Sequence, residues 1–164
     1  MATTDLEKRV QTLEVQVQEL TDRDAIQTLR FRYHECVNEK RPELIGDLFS
    51  NDAEIDYAHL GTAKGREKII KFFQKGLSDL VPFVKQFIHN HVIHVERNTG
   101  TGLSYLEATP VHKGESYLVA ARFDDEYVKE NGRWYFKKVK LTPYFMVPLK
   151  EGWAQEDRIK MGRG

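Results

Sequence analysis

From Lys85 onward the chain changes texture, and that change limits its possible folds more than any other feature. Four runs rich in β-branched and aromatic residues follow one another: Gln86 to Glu96, Leu103 to His112, Glu115 to Val128, and Trp134 to about Val147. Between them stand turn signals at Asn98-Thr99-Gly100, Lys113-Gly114 and Asn131-Gly132, the last a strong tight-hairpin dipeptide. Each run is roughly 10–14 residues long, against a usual strand of ~5–6. Antiparallel strands of that length must twist and curl, which gives the sheet a concave face. A concave apolar face needs a cover.

The first half of the chain supplies helices for it. Thr21 can cap a helix, with Asp24 three residues on as reciprocal partner. Behind it Ile26, Leu29, Tyr33, Cys36 and Val37 fall at helical spacing, and Asn38 ends the pattern. Tyr33 and Asn38 place polar groups along a stripe that a purely structural helix would keep apolar. Pro42 opens a short helix carrying Leu44, Ile45, Leu48 and Phe49. Asn51-Asp52 turns the chain into a strand around Ile55 to Tyr57, and His59 to Lys64 is loop. Gly65 precedes a helix from Arg66 to about Leu80, with Ile69, Ile70, Phe73 and Leu77 on one face and Pro82 closing it. Helices followed by a curved meander describe an α+β cone whose open mouth the helices close.

Ahead of Thr21 lies a different pattern. Thr4 and Glu7 form a capping box, and Leu6, Val10, Leu13, Val17 and Leu20 follow at spacings of four, three, four and three. That is a heptad seam with valine at a and leucine at d. It covers about two and a half heptads, and an isolated helix of that length is marginal. The seam must therefore pack on this domain or on a neighbouring subunit. The chain divides into an amino-terminal heptad helix (1–20), a cone domain (21–148) and a polar tail (149–164) in which Trp153 reads as an anchor.

At 164 residues the chain is one domain by size. It carries 25 basic and 25 acidic side chains, a net charge of zero, which argues against nucleic acid or an anionic membrane as main partner. Lys137-Lys138 reads as a solvated strand edge. Cys36 is the only cysteine, so there is no disulfide framework and no cysteine-rich metal site. There is no signal-peptide pattern and no apolar run near ~20 residues, so a soluble cytoplasmic protein is expected. His89, His91 and His94 invite a metal. On a regular strand, however, 89 and 91 share one face and 94 takes the other, and no nearby carboxylate or cysteine completes a set. A β-bulge could still turn one of them inward. Asp124-Asp125-Glu126 reads as a solvated strand end. Asp125 is its candidate functional acid, because it continues the face of Tyr117, Ala121 and Phe123.

Several stretches resemble the nuclear transport factor 2-like superfamily, and within it the SnoaL-like group that includes scytalone dehydratase. They are Arg32-Tyr33 to Asn38, Leu48 to Ala53, Ile55-Asp56-Tyr57, Gly65 to Ile69 and Gly132 to Phe136, and together they span about Asp22 to Val147. The resemblance implies a cystatin-like cone, a cofactor-free reaction on a small molecule, and a homo-oligomer, with a trimer favoured over a dimer. It also implies an aspartate–histidine pair in the cone, ringed by tyrosines and a second histidine. Counted back from Tyr57, the aspartate position holds Asn38; the histidine that opens the first long strand is matched by Gln86. Tyr33, Tyr57 and His112 are kept.

The replaced pair matters chemically. A carboxylate beside an imidazole fixes its tautomer and raises its basicity. Two amides can donate and accept hydrogen bonds but hold no proton near pH 7. Two functions follow. One is a cofactor-independent lyase or isomerase on a cyclic aromatic, polyketide- or steroid-like substrate. In it His112 moves the proton, and Tyr33, Tyr57 and Asn38 polarise an oxygen. Gln86, His89, Phe123 and Asp125 contact the substrate, and neither metal nor cofactor takes part. The other is a non-catalytic ligand-binding or assembly module, with His112 a turn residue.

Overall fold

The computed structural model describes residues 3–161. One helix, α1 (Thr3–Asn38), runs without a break across the boundary expected at Thr21. Instead of capping a new start, the Thr21 hydroxyl donates to the Val17 carbonyl four residues back (2.8 Å), the mid-helix alternative open to threonine. Helix α1 therefore has two characters. Every residue from Glu7 to Thr21 is exposed, whereas Asp22, Ile26, Leu29, Arg30, Tyr33, His34 and Cys36 are buried against the sheet. Of the two places open to the heptad seam, its own domain is ruled out: Leu6, Val10, Leu13, Val17 and Leu20 are all 45–66% exposed.

A short helix α2 (Pro42–Ile45) and a 3₁₀ turn lead into strand β1 (Phe49–Asp56), and β2 (Thr62–Lys64) returns beside it. Helix α3 (Arg66–Lys71) passes through a π-helical turn at Phe72–Leu77 into the short α4 (Ser78–Leu80). Arg66 ties α3 down by donating from Nε and one terminal nitrogen to the Phe49 carbonyl, at 2.9 and 2.6 Å. The meander follows as β3 (Gln86–Glu96), β4 (Thr99–Ala108), the two-residue β5 (Val111–His112), β6 (Glu115–Glu130) and β7 (Arg133–Pro148). The sheet order is β2-β1-β7-β6-β4-β3, with β5 paired to β6; all neighbours are antiparallel except β1 and β7. Asn131 and Gly132 both have positive φ (49° and 79°), as a type I′ hairpin turn requires.

Curvature comes from identifiable places. Strand β7 carries an extra residue at Lys137 and another at Tyr144 relative to β6, and β3 carries one between Ile88 and His91. Each bulge bends its strand and increases its twist. The sheet stays open, a cone with free edges at β2 and β3. Lys137-Lys138 lies within β7, between β1 and β6, so these lysines stand on a sheet face and pair with Asp52 and Glu126. The tail also departs from a simple polar end. Trp153 stacks on Phe145 (5.2 Å, 13° between planes), and Ile159 bridges Met146. Met161 is thereby carried into the core at 4% exposure.

Candidate functional site

The mouth of the cone holds a cavity of about 320 Å³. Its walls come from the carboxy-terminal turns of α1, from α2 and the π turn, from the Val81–Val84 loop, and from the inner faces of β4, β6 and β7, with Met161 closing one side. Nearly all of that lining is apolar. The polar side chains reaching it are Tyr57, Gln86, Lys40 and the thiol of Cys36.

Two hydrogen-bonded pairs form its polar end. The Tyr57 hydroxyl is bonded to the Tyr33 hydroxyl directly behind it, both rings fully buried. Burial pushes the Tyr57 phenol well above its ordinary value and Tyr33 to about 12, so both stay protonated donors at neutral pH. The second pair joins the Gln86 amide oxygen to His34 Nδ1 at 2.9 Å. With that oxygen as acceptor, His34 is protonated at Nδ1 and Nε2 carries the lone pair, buried and without a hydrogen-bond partner among the described residues. Burial, then the nearby Arg30 charge, pushes His34 down to about 3, which keeps it neutral.

Both ends of the Asn38 amide are bonded to the Gln86 backbone. Its amide nitrogen donates to the Gln86 carbonyl (2.9 Å) and its oxygen accepts from the Gln86 backbone N–H (2.7 Å). A single side chain thus clamps the end of α1 to the first residue of β3, and Lys85 adds a bond to the Asn38 carbonyl at 2.6 Å. The clamp holds Gln86 where its side chain meets both His34 and the cavity.

The other expected site residues lie elsewhere. His112 is buried, but it packs edge-on to Tyr117 and its Nδ1–H donates to the Leu80 carbonyl (3.0 Å), fixing the loop that forms the rim next to Val81. It is not on the cavity wall. Phe123 is wholly buried behind that wall, with its ring 6.0 Å from Tyr33 and 5.9 Å from His34. His89 is exposed, 3.7 Å from Glu107. The bulge in β3 takes His91 out of phase with it and turns His91 inward, where Nε2 meets the Tyr127 hydroxyl at 3.2 Å. His89 and His91 therefore do not share a face.

Asp125 is buried rather than solvated. It pairs with the equally buried Arg30, accepts the Tyr127 hydroxyl (2.8 Å), and sits deeper in the cone than the cavity. Burial pushes its carboxyl up while Arg30 pulls it back; a guanidinium that never loses its proton keeps the pair ionic. Arg30 and His34, which the helical stripe read from sequence passed over, are one turn apart on the buried face of α1. Extending the Ile26–Tyr33–Val37 stripe to both of its flanks would have included them.

A family model for the SnoaL-like domain matches residues 18–140, and the chain belongs to that family. Among curated relatives, the gamma-hexachlorocyclohexane dehydrochlorinase of Sphingobium indicum is 27% identical over 136 residues, 79% of this chain and 85% of that protein. The structure of a type 2 hexachlorocyclohexane dehydrochlorinase, LinA, superposes with a TM-score of 0.79 at 22% identity, covering 87% of this chain and 99% of that one. A scytalone dehydratase-like protein from Novosphingobium aromaticivorans gives 0.71 at 23% identity, covering 88% and 96%. The cone expected from the sequence is the fold shared with these structures. No described helix is long and apolar enough to cross a membrane.

Proposed function

We propose that this SnoaL-like protein is a cofactor-independent lyase or isomerase that takes a compact cyclic, largely apolar substrate. The observation that carries this reading is the cavity itself: a partly open, largely apolar chamber into which two neutral hydrogen-bonded pairs present Tyr57 and Gln86, with Lys40 also on its wall. Tyr57, backed by Tyr33, is placed to donate to an oxygen or a departing halide on the ring. His34 is the base. In the resting structure Gln86 holds its Nδ1–H; a swing of the Gln86 side chain bares that nitrogen toward the ligand, and with the ring proton moved to Nε2 the Nδ1 lone pair takes the substrate proton. This puts the proton-moving imidazole on α1 in place of the β3 position that Gln86 now fills, and it assigns His112 to the rim. The relatives named as dehydrochlorinases and dehydratases support the reaction class.

A panel of halogenated cyclohexanes and cyclic hydroxyketones tests it. Turnover by the wild type should fall roughly a hundredfold or more in His34→Asn, the usual worth of a general base. Binding, followed by thermal shift, should persist. A second reading has its own support: among the lining side chains, Cys36 and Tyr57 are both pushed up by burial and provide no base at the wall. If the panel raises the melting temperature and none is turned over, the protein is a ligand-binding module.

A further inference from the structure

We infer that residues 6–20 form a parallel two-stranded coiled coil with a second copy of this chain. Three observations support it. First, the free segment is long: α1 enters its own domain at Asp22, which is 5% exposed and bonded to the Trp134 indole (2.8 Å) and the Lys129 ammonium (2.7 Å). Everything from Glu7 to Thr21 stands clear of the domain, and a bare helix of that length is marginal in water.

Second, the seam faces away from that domain. At 3.6 residues per turn, the mean direction of Leu6, Val10, Leu13, Val17 and Leu20 lies roughly 175° around the helix from that of the domain-facing residues Asp22, Ile26, Leu29, Arg30 and Tyr33. The apolar stripe is thus presented outward by the same rigid helix that docks on the sheet. It ends where the next two seam places fall on polar Asp24 and Gln27.

Third, the flanking charges choose a partner and a direction. Val at a with Leu at d favours two strands. In a parallel, in-register pair, Arg9 at g meets the second copy's Glu14 at e, and by symmetry this happens twice. An antiparallel pairing centred on Leu13 would bring the two Glu14 side chains together instead. The chain is therefore complementary to itself in one orientation, which places both cones at the same end of the coil.

Light scattering on the full chain should give twice the chain mass of 19.1 kDa. Leu13→Glu and, independently, Val17→Lys should give a single chain mass with an unchanged near-ultraviolet spectrum, since both side chains are about 60% exposed in the single chain. Val15→Glu, equally exposed but off the seam, should leave the pair intact. Mild oxidation of Val10→Cys should yield a covalent dimer, because a parallel register sets the two copies of this position face to face; the wild type, with only the buried Cys36, should not. A monomeric wild type, a mass of three chains, masses unmoved by both seam variants, or a Val10→Cys pair that does not cross-link would each overturn the inference.

Discussion

Two groups of polar side chains hang from the buried face of α1 barely one turn apart, and they are built on opposite terms. At the cavity, Tyr33, His34 and their partners Tyr57 and Gln86 are all neutral. Deeper in, Arg30 and Asp125 carry full charges in a layer that water does not reach: the guanidinium lies 4.4 Å from the Phe123 ring centre, 4.6 Å from Phe136 and 4.9 Å from Tyr33. Three of its neighbours there are thus ring faces, which attract a cation but cannot accept its N–H groups in the way carbonyls would. Arg30 Nε, Arg30 Nη1 and Asp125 Oδ1 are left without hydrogen-bond partners among the described residues. The contrast separates two uses of buried polarity. Charges sealed behind the aromatic floor fix the register of α1 on the sheet, and uncharged donors facing the cavity can turn to a ligand without an ion being stripped of its partner.

The largest effect should come from splitting the ionic layer. Arg30→Met or Asp125→Leu alone leaves one charge buried and unpaired, an expected loss of about 3–5 kcal/mol in denaturant unfolding. The double variant should recover most of it, since apolar replacements of a buried pair are often neutral. If the double variant were as unstable as the singles, the layer would owe its worth to the surrounding hydrogen bonds, and the contrast with the cavity end would weaken.

Acid should come next and should act at the neutral end. The His34 imidazole is held at about 3 when folded against about 6.5 when exposed. Above pH 6.5 it is neutral in both states and stability is indifferent to it. As pH falls from 6.5 toward 3, the unfolded chain takes up a proton that the folded chain refuses, so stability drops by roughly 1.4 kcal/mol per pH unit. His91, pushed down to about 4 by burial, acts in the same direction with more solvent screening. His34→Asn should flatten most of the slope between pH 6 and 4 in urea unfolding; an unchanged slope would move the acid sensitivity to another group.

The fold was largely legible in the sequence because its signals are periodic. The first strand run read from sequence, Gln86 to Glu96, has the same bounds as β3, and the β6 face that runs through Tyr117, Ala121 and Phe123 does reach Asp125. The site was less so, for reasons that are local. Asn38 and Gln86 were read as a pair, and they are one, but through the Gln86 backbone, which no side-chain pattern displays. The face of His91 depends on a bulge between Ile88 and His91 that changes the phase without any glycine or proline to announce it. Arg30 was passed over because charge argues against burial until a partner such as Asp125, ninety-five positions later, is known to face it. Nothing in a polar tail foretold that Met161 would wall the cavity.

The smallest change in stability should come from the tyrosine pair, and it discriminates best between the two regions. Tyr33 and Tyr57 share one hydrogen bond between buried hydroxyls. Tyr57→Phe removes one partner and leaves the Tyr33 hydroxyl buried and unsatisfied, at a cost of ~1–3 kcal/mol. Replacing both with phenylalanine removes donor and acceptor together from an aromatic nest that also includes Phe72, Phe73 and Phe123, so no polar atom is stranded. The double variant should therefore unfold within about 1 kcal/mol of the wild type, the less costly outcome of deleting a buried bond at both ends. If these hydroxyls exist for the ligand, the same variant should lose affinity for oxygen-bearing cavity ligands in titration calorimetry and keep affinity for plain hydrocarbons. A double variant less stable than Tyr57→Phe alone would make the pair a structural element like the ionic layer beneath it. An unaltered preference between the two ligand classes would remove Tyr57 from recognition and leave Gln86 and His34 as the polar contact.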